Sequence, residues 1–146
     1  MPGREPNEQA LHDHIVTLLH NEYYNYPSKS HPHLMAFANH PMMSKAVPGA
    51  HGNQLFPDIV VLHAASERLV MVAEVETGST VDESEVQEWR DFAGLGAAFY
   101  LYVPQGMGRV AARLAPGVAI TELVQYTRDK NRLLLERCAR AATGPA

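Results

Sequence analysis

The segment from Pro57 to Thr77 constrains the fold of this chain more than any other stretch. It contains two apolar runs, Ile59–Leu62 and Leu69–Val72, which a short polar stretch separates. Two runs rich in β-branched residues and joined in this way predict a β-hairpin that is buried on both faces. The expected fold is therefore α/β, with a mixed sheet that has this hairpin at its centre and helices on its flanks.

Three carboxylates interrupt the apolar segment: Asp58, Glu74 and Glu76. Acidic residues rarely lie in buried strands unless they are paired or hold a cation. Glu74 and Glu76 are two apart, so they point to the same face of a strand. A three-residue turn at 65–67 places Asp58 opposite Glu74 on that face, whereas a slip of one residue sends Asp58 to the other face. Three like charges in a small space need a proton or a cation, and hard oxygen ligands suit Mg²⁺ or Mn²⁺.

Pro57-Asp58, followed after a hairpin by Glu74-Val75-Glu76, resembles the signature of the PD-(D/E)xK nuclease superfamily, which has the restriction-endonuclease-like fold. The resemblance continues through a predicted helix and the strand after it, over about half of the chain. It implies a metal-dependent nuclease that cleaves DNA or RNA. In such an enzyme Asp58, Glu74 and the Val75 carbonyl would hold Mg²⁺ or Mn²⁺.

Glu76 stands where the superfamily usually has a lysine. A carboxylate cannot place a positive charge on the scissile phosphate, so Glu76 would bind a second ion or take a proton from the attacking water. Lys29 and Lys45, in the long loop before the hairpin, are candidates for the missing charge. The alternative is a catalytically inactive nuclease-fold protein that acts as a nucleic-acid-binding or protein-interaction subunit.

The resemblance also implies that helix residues reach the site. A helix that Asn7 would cap carries two glutamates on its core-facing stripe, and Glu22 is preferred to Glu8 as the residue near the metal. In the helix predicted after the hairpin, Gln87 and Arg90 are three apart and share part of one surface, so both are candidates to contact the site or the substrate.

The net charge of −4 argues against a strong nucleic-acid binder, but the charge is uneven. From Arg109 onward basic residues outnumber acidic ones by four. A basic flank beside an acidic metal site suits a phosphodiester substrate, and Arg109, Arg113, Lys45 and Arg90 are the predicted nucleic-acid contacts. The alternative is that these side chains only solvate an ordinary surface.

The remaining elements complete the predicted architecture. A helix over 83–95, a strand over 97–103, a helix over 109–115 and a strand over 118–126 indicate a crossover onto a parallel partner. A short helix is predicted over 33–39. For 132–142 composition favours a helix, whereas the preceding turn favours a return strand, and both remain open.

Length and composition predict one nuclease-like domain over 1–146, with loose ends at 1–6 and 140–146. The single cysteine, Cys138, excludes a disulfide framework. No stretch has the length of a membrane span and the start lacks a secretory signal, so a cytoplasmic protein without membrane contact is expected. The histidines show no zinc signature. The resemblance further implies a homodimer.

Overall fold

The computed structural model describes residues 4–138, which form a mixed α/β structure with a curled six-stranded sheet and a few helices. The helices are α1 (Pro6–Tyr23), α2 (Val86–Ala93) and α3 (Gly108–Leu114). The strands are β1 (Leu34–Ala38), β2 (Val47–Pro48), β3 (Gln54–Leu55), β4 (Ile59–His63), β5 (Leu69–Val75), β6 (Ala98–Pro104), β7 (Glu122–Asp129) and β8 (Arg132–Arg137).

The large sheet has the order β1-β4-β5-β6-β7-β8, and β2 pairs only with β3. The predicted hairpin is confirmed as β4 and β5, which are antiparallel neighbours inside the sheet. Strands β5, β6 and β7 are parallel and are joined through α2 and α3, so the predicted crossover from β6 through α3 to β7 is also confirmed. Antiparallel β1 and β8 form the two edges.

The pairing of β4 with β5 sets the position of the carboxylates. Ile59 lies opposite Ala73, and the same register continues to place Asp58 opposite Glu74, as predicted. The predicted turn is wrong, because a register shift next to Leu62 moves the last pairs of the hairpin by one residue. The shift lies between the turn and the carboxylates, so an incorrect turn length left their register correct.

Alternate residues of the sheet are buried against helices on opposite faces. Helix α1 covers one face, where Ile15 and Leu19 belong to the same buried cluster as Val61 and Val75. Helices α2 and α3 cover the other face, in a cluster that includes Val72, Trp89, Phe92, Phe99, Leu101 and Ala111. Burial on both faces explains why the central strands are almost uniformly apolar.

Two regions differ from the predicted elements. Residues 33–39 do not form a helix, because β1 pairs along the free edge of β4. The open question over 132–142 is settled up to Arg137, which ends strand β8, while 139–142 lie outside the described residues. Lys130 has a φ of 59° in the turn before β8, and this tight turn returns the chain antiparallel to β7.

The predicted N-terminal boundary also needs correction. Helix α1 begins at Pro6, Glu5 occupies the N-cap position, and Asn7 is therefore not the cap. Arg4, which was assigned to a loose end, makes four hydrogen bonds around the end of β5. The predicted loose end at 140–146 lies outside the described residues. Over residues 4–138, no helix combines the length and the apolar character needed to cross a membrane.

Candidate functional site

The predicted carboxylates on β5 meet a third glutamate, from α2. Glu74, Glu76 and Glu88 each bring one oxygen into a group whose members lie within 4.8 Å of one another. Glu74 and Glu76 are buried, with 7% and 0% of their surface exposed, and Glu88 is exposed. They converge because the alternating positions 74 and 76 face the side of the sheet that α2 covers, where Trp89 packs into the core.

Glu88 takes the place in this cluster that the sequence suggested for Gln87. The Gln87 amide instead donates to Asp91 Oδ1 at 3.0 Å on the exposed surface of α2. The buried position of Trp89 was recognisable from sequence, and Glu88 is its immediate neighbour. The missing information was which side of Trp89 turns toward β5.

Asp58 lies at the start of β4 and is 2% exposed. The Val75 N–H donates to Asp58 Oδ2 at 2.7 Å, and the Asp58 N–H donates to Glu74 Oε1 at 3.2 Å. The side chains thus continue the pairing of β4 and β5 beyond the backbone ladder. The register predicted from sequence brings Asp58 and Glu74 together.

Glu76 is held from several directions. Its carboxylate accepts hydrogen bonds from Trp89 Nε1 at 2.7 Å and from Arg4 Nη2 at 3.4 Å. Its backbone N–H donates to the Tyr102 carbonyl at 2.8 Å, and the Tyr126 hydroxyl donates to its own carbonyl at 2.7 Å. Glu76 is therefore anchored in the core.

Burial and mutual repulsion shift the pKa values of these acids upward. Burial, followed by the charges of Asp58, Glu88 and Glu76, raises the pKa of Glu74 well above its ordinary value. Burial also raises the pKa of Glu76 to about 8, although hydrogen bonds from Thr80 and Trp89 oppose this shift. A cluster of this kind retains protons at neutral pH or neutralises its charge with a bound cation.

The positive charge nearest to Glu76 comes from Arg4. Its Nε donates to Thr77 Oγ1 at 2.9 Å, and its Nη2 lies 3.3 Å from the Val75 carbonyl. Of the two lysines suggested for this role, Lys45 instead lies 3.6 Å from Glu67 at the turn of the hairpin, and Lys29 is exposed and does not line the cleft. Arg4 was missed because it precedes the first predicted helix and reaches the site only through the fold.

Two histidines contact the carboxylate of Asp58. His12 Nε2 is 3.1 Å from Asp58 Oδ2, and His40 Nε2 is 3.2 Å from Asp58 Oδ1. The two rings meet edge to face with centroids 4.7 Å apart. Burial lowers the pKa of His12, but the hydrogen bond to Asp58 and its charge outweigh burial, so the pKa is raised.

One cleft of about 460 Å³ collects most of these groups. Its polar lining comes from α1 and the residue Arg4 before it, from the loop after β1, from the start of β4, from β5 and the segment after it, and from α2. The lining residues are Arg4, Gln9, His12, His40, Asp58, Glu74, Thr80, Glu85 and Glu88. Burial and the adjacent Glu88 also raise the pKa of Glu85. The cleft combines carboxylates, imidazoles and a guanidinium at the end of the hairpin opposite the turn.

The first helix contributes differently from the prediction. Glu8, the second choice, accepts hydrogen bonds from Ser79 N at 3.0 Å, from Ser79 Oγ at 2.6 Å and from the Thr77 hydroxyl. These bonds, first from Ser79 and then from Thr77, lower the pKa of Glu8. Glu22, the first choice, is exposed at the far end of α1, about 21 Å from Glu8 along the helix axis. The structure therefore does not bring Glu22 to the cleft.

The predicted nucleic-acid contacts do not converge on the cleft. Arg90 lines a separate cavity of about 80 Å³ together with His51. Arg109 and Arg113 are exposed on α3. Arg128, another basic residue of the C-terminal stretch, contacts His14 of α1 at 3.0 Å on the opposite face of the sheet. The C-terminal basic residues are thus distributed over both faces.

The chain matches no protein-family model, no curated protein and no solved structure. What defines it is a mixed α/β fold with acidic and imidazole groups that can hold a metal ion.

Proposed function

We propose that this protein is a metal-dependent phosphodiester hydrolase that acts on DNA or RNA, built on a restriction-endonuclease-like core. The observation that carries the proposal is the group of three glutamates beside Asp58, two of which, Glu74 and Glu88, line an open cleft that Arg4 also lines. Buried carboxylates at such separations are costly unless a cation or protons offset their charge. Their position at the end of a central hairpin is the one that the PD-(D/E)xK resemblance implies.

The residues present fit a hard divalent cation. Glu74, Glu76 and Glu88 offer only carboxylate oxygens, which suit Mg²⁺ or Mn²⁺. When bound, such a cation lowers the pKa of a bound water and stabilises negative charge on the phosphate. This ligand set differs from the one that the resemblance implies, in which Asp58 and the carbonyl of Val75 hold the ion. In the structure the Asp58 carboxylate contacts the Val75 N–H and two imidazoles, and the Val75 carbonyl accepts from Arg4.

The chain's own groups then have distinct roles. Arg4 lines the cleft with its guanidinium and provides the positive charge for a phosphate oxygen, which the superfamily takes from a lysine at the position of Glu76. Glu76 orients Arg4 by accepting a hydrogen bond from its Nη2. Glu88, the exposed member of the cluster, is placed to accept a proton from an attacking water. Asp58 fixes Glu74 through its backbone N–H.

One observation favours the alternative, a nuclease-fold protein without catalysis. Glu76 is fully buried and accepts hydrogen bonds from both Trp89 and Arg4, which is the environment of a structural residue. Under this alternative the protein binds nucleic acid or a partner protein. The exposed Arg109 and Arg113 on α3 would be its contacts with nucleic acid.

Calorimetric titration with Mg²⁺ and Mn²⁺ tests the metal site. The variants are Glu74→Gln and Glu88→Gln, and the matched control is Glu67→Gln, which removes an exposed carboxylate at the turn of the hairpin. We expect binding by the wild type and the control, and a loss of at least ~10-fold in affinity in both cluster variants. Equal binding by all four proteins would reject the site.

Cleavage assays then separate the two functions. Labelled single-stranded and double-stranded DNA and RNA are incubated with the protein and Mn²⁺, with Glu88→Gln and Arg4→Ala as variants. Cleavage that both variants lose supports the hydrolase. Nucleic-acid binding without cleavage, together with intact metal binding, supports the inactive subunit and overturns the hydrolase.

A further inference from the structure

A second group of potential metal ligands, His12, Asp13 and His40, lies beside the carboxylate of Asp58. His12 Nδ1 is 3.0 Å from Asp13 Oδ1, and His40 Nδ1 is 3.3 Å from the same oxygen. His12, Asp13 and His40 each offer one ligand atom to a group whose members lie within 4.8 Å of one another. The Nε2 atoms of the same two rings face the two oxygens of Asp58, at 3.1 Å and 3.2 Å.

The hydrogen-bonding capacities of these groups conflict unless something positive lies between them. An ionised carboxylate only accepts, so contact with Asp58 places a hydrogen on Nε2 of both His12 and His40. A neutral imidazole then presents a lone pair at Nδ1. Both Nδ1 lone pairs face the Asp13 carboxylate, which also only accepts. One cation bound by both Nδ1 atoms and by the Asp13 oxygen removes the repulsion between these lone pairs. Without a cation, each ring would need its own additional proton.

The separations suit a metal. Ligand atoms at about 2.0–2.2 Å from one ion are roughly 3.0–3.5 Å apart in octahedral or tetrahedral geometry. The two observed separations, 3.0 Å and 3.3 Å, fall in this range. The group is also reachable from solvent, because the side chains of Asp13 and His40 are 25% and 29% exposed.

We propose that His12 Nδ1, His40 Nδ1 and Asp13 Oδ1 form a binding site for one borderline divalent cation such as Zn²⁺, and that Asp58 orients both imidazoles. A carboxylate behind a metal-binding histidine fixes the tautomer and the ring orientation. Here one carboxylate does so for two rings. Gln9 supplies a fourth ligand, because its amide nitrogen lies 2.8 Å from Asp13 Oδ1 and exchange of the amide oxygen and nitrogen turns the oxygen toward the ion.

This site uses none of the glutamates of the proposed hydrolase, Glu74, Glu76 and Glu88, and the two sites share only Asp58, which orients groups in both. Imidazole nitrogens favour zinc and its neighbours in the transition series, whereas the glutamates favour Mg²⁺. The sequence did not indicate the site because His12 and His40 lie far apart in the chain. They meet only when β1 pairs with β4 and delivers the loop after β1 beside α1.

Zn²⁺ titration of the full chain, by calorimetry and by metal analysis after equilibrium dialysis, tests the proposal. The variants are His40→Ala and Asp13→Asn, both at partly exposed positions, and Asp58→Asn at a buried position. The control is His51→Ala, an exposed histidine in another loop. A second control, Glu88→Gln, disables the acidic cluster alone. Melting temperatures verify that each variant is folded.

We expect one Zn²⁺ per chain in the wild type and in both controls. Asp58→Asn should weaken binding by ~10–100-fold, as for other residues that orient a metal ligand, and His40→Ala should weaken it more. Nitrogen NMR should assign the hydrogen to Nε2 of both rings in the zinc-bound protein. Absence of zinc binding, or binding that survives His40→Ala and Asp13→Asn alike, would overturn the proposal. Loss of zinc in Glu88→Gln would assign the metal to the acidic cluster and would overturn it equally.

Discussion

Replacement of Glu76 by glutamine tests whether the buried acidic cluster stores protons. The pKa of Glu76 is raised to about 8, against an ordinary value of 4.5. Between these two pH values the folded chain keeps a proton that the unfolded chain has lost. The stabilising contribution is therefore complete below the ordinary pKa, and it is lost as the pH rises through the folded pKa. The contribution of Glu76 to the free energy of unfolding therefore falls by about 1.4 kcal/mol per pH unit in this range. Between pH 5 and pH 7.5 it falls by roughly 3 kcal/mol.

Urea denaturation of wild type and Glu76→Gln at pH 5.0, 6.0, 7.0 and 8.0, with chelator present, measures this contribution. At pH 5 both side chains are neutral, so the two proteins should differ by no more than the ~1–3 kcal/mol expected for altered hydrogen bonds to Arg4 and Trp89. As the pH rises, the free energy of unfolding of the wild type should fall, and that of Glu76→Gln should fall less. Glu67→Gln, at an exposed position, should follow the wild type.

Parallel pH profiles for wild type and Glu76→Gln would refute this reasoning. A wild type that becomes more stable than the variant as the pH rises would refute it more strongly. That result would mean that Glu76 is ionised in the folded protein and is stabilised by the Arg4 guanidinium. The cluster would then carry a permanent charge and would need no proton.

The remaining predictions concern cation binding, packing and nucleic-acid contact. Mg²⁺ should raise the melting temperature more at pH 8 than at pH 5, because it competes with protons for the acidic cluster; equal shifts in a fluorimetric melt would contradict this. Tyr126→Phe should lower the free energy of unfolding by about 1–3 kcal/mol, because it leaves the buried Glu76 carbonyl without its hydroxyl donor; an unchanged urea midpoint would count against it. Arg109→Ala combined with Arg113→Ala should weaken binding of a fluorescent DNA duplex and reduce the salt slope by about 2, and unchanged anisotropy curves would exclude α3 as a contact.

The parts of the fold that were predictable are those with a local signal. The hairpin and the parallel strands show apolar runs of strand length bounded by turn residues, and the structure has them. Strand β1, which was not predicted, and strand β8, which was left open between a strand and a helix, both depend on their partners. Strand β1 forms on the free edge of β4, and β8 is held against β7 despite a helix-favouring composition. Pairing across a sheet regularly overrides weak local preferences of this size.

The candidate site shows the same division. The spacing of two residues in β5 was sufficient to predict that Glu74 and Glu76 share a face, and the register added Asp58. Nothing local distinguished Glu88 from Gln87, because the phase of α2 is set by how Trp89 packs against the sheet. Arg4 likewise reaches the site from a segment with no pattern of its own.

Asp58 is the residue on which both proposed sites depend, and the dependence differs between them. Toward the glutamates it acts through its backbone N–H, which donates to Glu74, whereas toward the histidines it acts through both carboxylate oxygens. Asp58→Asn keeps the backbone donor and the side-chain shape but removes the charge that favours a hydrogen on each imidazole Nε2. We therefore expect this variant to lose much of its zinc affinity while its Mg²⁺ affinity changes little. If Asp58 is itself a Mg²⁺ ligand, as the PD-(D/E)xK resemblance implies, the same variant will lose Mg²⁺ affinity as well, and calorimetry with the two ions on one protein distinguishes these roles.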